Sequence, residues 1–127
     1  MLKILPIQSK AEQEKLCAVC GVEYDPDMLA YAASADDRIA GICQFKLTDK
    51  GGIISSFAAA KDFYSRDALF VLGRGTLNFI DLCGVHYAVF KAEFEDEELI
   101  KQIGFKKDQD GVFAVDLEGF FTSGHCH

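Results

Sequence analysis

The sequence predicts an α/β (α+β) fold: a mixed, mostly antiparallel central sheet with helices on both faces. Three observations carry this reading. Residues 28–60 hold three strand-like segments separated by two turns, which make a meander. Residues 67–83 carry an apolar stripe with the three-and-four spacing of a long helix. That helix stands between two strand-like segments, as a crossover connection requires. At 127 residues, half of them apolar and 11 of them Phe, the chain suits one domain, expected over 1–121, with 122–127 as a frayed tail.

Each element has its own justification. Residues 2–7 are an apolar strand that Pro6 confines to a sheet edge or a strand end. Ser9 and Glu12 have the capping-box spacing, so a helix is expected over 10–20, with Gly21 as the left-handed residue after its last turn. Its apolar stripe is Leu16, Val19 and Cys20, with Gln13, Glu14 and Lys15 placed largely outside it. Residues 28–34 are read as a strand. The stretch 35–38, with two aspartates at its centre, is a turn into a half-buried strand over 39–47, where Cys43, Phe45 and Leu47 face one way and Gln44 and Lys46 the other. A turn rich in glycine precedes 53–60, an almost wholly apolar or small run expected as a central strand covered on both faces. The long helix over 67–83 contains Gly73 and Gly75, each costing about 1 kcal/mol relative to Ala, which calls for close approach to the sheet. A strand over 85–90, a helix over 95–103 closed by Gly104, and a hairpin over 105–117 turning near Gly111 complete the chain.

Thirteen basic residues against 20 acidic ones give a net charge of −7, which repels polyanions and argues against nucleic acid or an anionic membrane as partner. No apolar run approaches the roughly 20 residues of a membrane helix, and the N-terminal stretch is too short for a secretory signal, so a cytoplasmic location is expected. Five cysteines, an odd number, are then expected as reduced thiols. Cys17 and Cys20 have redox spacing but close a helix, whereas a reactive thiol needs a helix N-terminus, so two small core residues are the better account. His125, Cys126 and His127 are too close in sequence to enclose a tetrahedral metal unaided, and no metal is expected.

The order of elements, together with Leu99-Ile100-Lys101-Gln102-Ile103-Gly104-Phe105, resembles the C-terminal half of the GNAT acetyltransferases, in which a helix ends in a Gly-Phe pair that enters a strand. Residues 57–69 then look like the family's fourth strand and pyrophosphate loop, and Gly84 falls where the long helix should stop. The resemblance implies a GNAT-like acyl-CoA N-acyltransferase fold whose fourth and fifth strands splay apart. Acetyl-CoA would lie between them as cosubstrate, with its pyrophosphate on backbone amides opening the long helix. It implies Ala58, Ala59, Ala60, Ser65, Arg66, Asp67 and Ala68 as cofactor-binding residues. The acceptor would be a small-molecule or peptide amine, and the assembly admits a homodimer. The sequence also departs from the family pattern. Residues 64–69 contain no glycine, Asp67 puts a carboxylate beside the expected phosphates, Ile100 stands where the family has a tyrosine, and Glu93 stands where it has an asparagine.

Acetyl transfer from a thioester needs a deprotonated amine, donors for the oxyanion and a proton for the departing thiolate. In the resemblance the donors are backbone amides of the fourth strand, where Ala58 to Ala60 either admit a pantetheine arm or pack under a helix. That strand carries no acid, and Ser55 and Ser56 are poor bases. His86 opens the fifth strand, roughly 13 Å from the cleft end at about 3.3 Å per residue. Glu93 follows the fifth strand on the cleft side and is the candidate catalytic residue, assisting through water. With Glu95, Asp96, Glu97 and Glu98 it forms an acidic run, read either as solvated helix-start acids or as a cationic-acceptor subsite. Two readings of function follow: an N-acetyltransferase acting on an amine, or a catalytically inactive GNAT-fold module that senses a ligand or binds a protein.

Overall fold

The computed structural model describes residues 1–123. Among these residues seven strands, β1 (Leu2–Pro6), β2 (Leu29–Ala35), β3 (Arg38–Thr48), β4 (Gly51–Ala59), β5 (Tyr87–Phe90), β6 (Lys106–Lys107) and β7 (Phe113–Asp116), form one sheet. Its order is β1-β2-β3-β4-β5-β7-β6. The helices are α1 (Lys10–Cys20), α2 (Arg66–Leu82), α3 (Glu97–Ile103) and α4 (Phe120–Ser123). Neighbouring strands are antiparallel except β4 and β5, which run parallel. A parallel pair cannot be joined by a hairpin, and α2 is the crossover between them.

Local chemistry sets the boundaries. Ser9 Oγ accepts the Glu12 amide at 3.3 Å at the start of α1, and Gly21, at φ 69°, turns its N–H back to the Ala18 carbonyl. Asp36 and Asp37, with φ of 50° and 67°, form the two-residue turn from β2 to β3. Paired positive φ values match the twist of the flanking strands, and Asp tolerates them better than most residues.

α1 packs on one face of the sheet against Ala32, Ile42 and Ala60. α2 and α3 cover the other face, where Phe45, Ile54, Phe57, Phe90 and Phe105 sit. Full burial of a Phe such as Phe45, Phe57 or Phe105 contributes about 1.5–3 kcal/mol each.

Several expectations need correction. β3 is not half-buried: Gln44, on the face away from α2, is 1% exposed because α1 and the loop after it roof that face. Gln13 lies inside as well, also 1% exposed, as the hydrogen-bonding partner of Gln44. Only one of the two helical glycines meets the sheet. A Cβ on Gly75 would come within 2.8 Å of Ile4 on β1, whereas one on Gly73 would come within 2.5 Å of Ile103 on α3. β5 begins at Tyr87, two residues later than expected. The segment read as a tail overlaps the end of α4, and residues 124–127, with the His-Cys-His sequence, lie outside the described residues. No helix among the described residues is long and apolar enough to cross a membrane.

Candidate active site

The parallel pairing of β4 with β5 spans only Gly52 to Ile54 opposite Ala88 to Phe90. One further bond, from the Lys91 amide to the Ile54 carbonyl at 2.8 Å, ends the contact. Beyond it β4 continues to Ala59, while the chain after β5 turns away through 91–96 into α3. The two segments diverge, and the gap holds a cleft of about 390 Å³ lined by Ala58, Ala59, Tyr64, Glu93, Glu95 and Asp96. Phe57 forms its floor, edge-on to Phe94 and Phe90 with ring centroids 5.0 and 5.6 Å apart.

The splay frees backbone groups. The Ala60 amide bonds the Ala40 carbonyl at 3.0 Å, so by strand alternation the N–H and C=O of Ala59, and of Phe57 before it, point away from β3 toward the gap. The register also steps on this strand. Gln44 pairs with Ser56 and Phe45 with Ile54, which leaves Ser55 as the extra residue of a bulge. A bulge beside a cleft re-aims side chains and amides.

A second cavity of about 490 Å³ lies on the α1 side of β4, between Val22 and Glu23 on one wall and Ser55 and Ser56 on the other. Phe57, Ala58 and Glu93 line both cavities. The two are therefore halves of one groove that crosses the β4 edge, with Glu93 at the junction.

Of the residues expected from sequence, the fold brings Ala58, Ala59 and Glu93 together at this junction. It turns Ala60 into the core beneath α1, at 6% exposed, with its amide already used by β3. Ser65 caps α2: its Oγ accepts the Ala68 amide at 3.2 Å and its carbonyl accepts the Leu69 amide at 3.1 Å. The amides of Arg66 and Asp67 precede the first bonds of the helix ladder. The Arg66 guanidinium spans to α3, reaching Asp96 Oδ2 at 3.1 Å and Gln102 Oε1 at 2.8 Å. Asp96 caps α3 by accepting the Leu99 amide, and this bond, followed by Arg66, holds its carboxyl below the ordinary value. Glu97 pairs with Lys107 at 3.2 Å. The acidic run thus divides, with Glu93, Glu95 and Asp96 lining the cleft and Glu97 engaged at the sheet edge.

His86 lies outside the groove, at the far end of the sheet, where its Nδ1 meets Asp81 Oδ1 at 2.6 Å. Ile100, at 2% exposed, belongs to the core. Cys17 and Cys20 lie on the buried face of α1. Burial, then the Glu14 charge, pushes the Cys17 thiol up, and burial, then Cys17, pushes Cys20 up to about 12. Such thiols are unreactive at neutral pH. Among the described residues no group of three or more His, Cys, Asp and Glu is placed to hold a metal ion.

Reasoning from sequence missed Tyr64, Phe94 and the buried pair Gln13 and Gln44. A signal for Gln13 was present: it sits three, four and seven residues before Leu16, Cys17 and Cys20, in phase with the buried stripe of α1.

No protein-family model and no curated protein matches the chain. Solved structures do. The chain is similar to the IAA acetyltransferase from Bacillus cereus, with TM-score 0.69 and 15% identity over 92% of this chain and 100% of that one. It is also similar to the ribosomal-protein-S18-alanine N-acetyltransferase from Escherichia coli, with TM-score 0.68 and 10% identity over 92% and 94%. A GNAT family acetyltransferase from Brucella melitensis in complex with acetyl-CoA gives TM-score 0.67 and 13% identity over 91% and 88%. At such identities the likeness is one of fold, and the fold is that of the GNAT acyl-CoA N-acyltransferases.

Proposed function

We propose that this chain, with its GNAT fold, is an N-acetyltransferase that takes acetyl-CoA on one side of the β4 edge and an amine on the other. The observation that carries this reading is the groove itself, two cavities joined at Glu93 across a strand whose Ala59 and Phe57 amides face the gap. Acetyl-CoA supplies a thioester carbonyl for attack by the amine.

The residues suit each demand of that chemistry. Ala58 and Ala59 leave width for a pantetheine arm, and the outward amides of β4 can pair with it and stabilise an oxyanion. The start of α2, Ser65 to Ala68, is the proposed site for the pyrophosphate. There the backbone amides of Arg66 and Asp67, which precede the helix ladder, are the donors that offset the Asp67 carboxylate. Glu93 accepts the acceptor's proton through water. The acceptor is an amine, either a small molecule or a peptide, entering beside Val22 and Glu23.

Isothermal titration calorimetry with acetyl-CoA tests the proposal, with saturable binding at micromolar to low millimolar concentration expected and turnover then sought over an amine panel. Absence of binding at millimolar acetyl-CoA would end it. A second reading, an inactive module that keeps the fold, is favoured by the α2 start, where Ser65 already occupies the Ala68 amide and Arg66 is committed to Asp96 and Gln102. Binding of acetyl-CoA without turnover of any amine would select that reading.

A further inference from the structure

Behind the acceptor half of the groove, bonded to the Glu23 and Ser56 that line it, lies a buried amide whose orientation is fixed by its hydrogen bonds. Gln44 Oε1 accepts Gln13 Nε2 at 2.8 Å and the Asp25 amide at 3.1 Å. Gln44 Nε2 donates to the Glu23 carbonyl at 2.8 Å and to Ser56 Oγ at 3.0 Å. A flipped amide would set its NH2 group against the Asp25 N–H and its oxygen against the Glu23 carbonyl, so the orientation follows from the network. Lys10 Nζ, donating to Gln13 Oε1 at 3.1 Å, anchors the far end.

This arrangement has a chemical result at Ser56. Its oxygen receives the Gln44 proton, so its own proton must leave in another tetrahedral direction. Among the described residues no acceptor takes it, and Ser56 lines the 490 Å³ cavity. The same Gln44 amide holds the Glu23 carbonyl, which fixes the opposite wall of that cavity at a set distance from Ser56.

We propose that Ser56 is an acceptor-binding residue, donating its hydroxyl proton to an oxygen that the amine substrate carries near its amino group, and that Gln44 is the positioning residue that aims it. The amine of choice therefore bears a carbonyl oxygen, as an aminoacyl amide does, and a plain alkylamine fits less well. The inference rests on the acetyltransferase reading only for the identity of the groove's occupant.

Calorimetry on the full chain with glycinamide and n-propylamine as probes tests it without needing turnover. Wild type is expected to bind glycinamide about 3- to 10-fold more tightly, the range of one neutral hydrogen bond. Ser56→Ala should erase that preference while leaving the binding of n-propylamine and of acetyl-CoA unchanged. Ser56→Thr, which keeps the hydroxyl, should retain it. Gln44→Met should lose the preference too, and combining it with Ser56→Ala should cost nothing further. Equal binding of the two amines by wild type, binding of neither, or a Ser56→Ala variant that weakens both alike would each overturn the proposal. An intact glycinamide preference in a protein that does not bind acetyl-CoA would sink the transferase reading and leave the Ser56 contact standing.

Discussion

At the residue scale, position at the junction separates Glu93 from the other carboxylates nearby. Asp96 is already paired with Arg66 and Glu97 with Lys107, so their removal would disturb packing before chemistry. Glu93→Gln is expected to lower kcat about 100-fold, within the range of general-base catalysis, with the acetyl-CoA Kd from calorimetry unchanged. An equal loss in both quantities would mean that Glu93 holds the cofactor and does not move the proton. His86 makes a different prediction. The hydrogen bond to Asp81, then the charge of Glu118, raises its pKa above the ordinary 6.5. A raised folded value means the pair stabilises the protein fully below about pH 6.5, and the contribution fades as pH rises through the folded pKa. An NMR titration should place the His86 midpoint above 6.5, and Asp81→Asn, which removes the largest cause, should lower it. A midpoint indifferent to that substitution would dismiss the pair.

Elements meet in this fold through missing side chains. A Cβ on Gly73 would stand 2.5 Å from Ile103 Cδ1, and Ile103 is fully buried. Gly73→Ala should therefore destabilise by about 1–3 kcal/mol in urea denaturation despite the roughly 1 kcal/mol that Ala gains in a helix interior. The loss should shrink when Ile103→Val removes the clashing methyl. Gly41 on β3 is less forgiving, since its Cβ would meet the Ala58 carbonyl oxygen at 2.8 Å as well as Leu69 Cδ2 at 2.7 Å. Backbone cannot swing aside as a side chain can. Gly41→Ala should thus displace β4 at the cleft and weaken acetyl-CoA binding along with stability, whereas Gly73→Ala should leave that affinity intact. The spacing of apolar residues made the three longer helices and most strand positions legible, because local periodicity expresses which face each element buries. Partners were not legible in that way: Gly73 was read as a contact to the sheet, and the contact is to α3.

Across the whole molecule, the sheet separates two apolar layers, one under α1 and one under α2 and α3, and the groove crosses the edge of β4 where neither layer closes. A cosubstrate bound there to the native chain alone should raise the melting temperature with concentration, by about 2.7 kcal/mol of stability at a hundredfold excess over its Kd. A melting temperature that does not move with acetyl-CoA would contradict the proposed function at this scale. The sequence by itself determined the fold class, the order of the strands and the three longer helices, the caps of α1 and the placement of Glu93 beyond β5, since these depend on neighbours within one or two turns. The tertiary structure alone decided that Ala58 and Ala59 face a gap while Ala60 does not, that β3 is roofed on both faces, and that Gln13, Gln44 and Ser56 form one network. These follow from register and from which element lies across the sheet, quantities set by contacts between residues tens of positions apart, on which local periodicity carries no information.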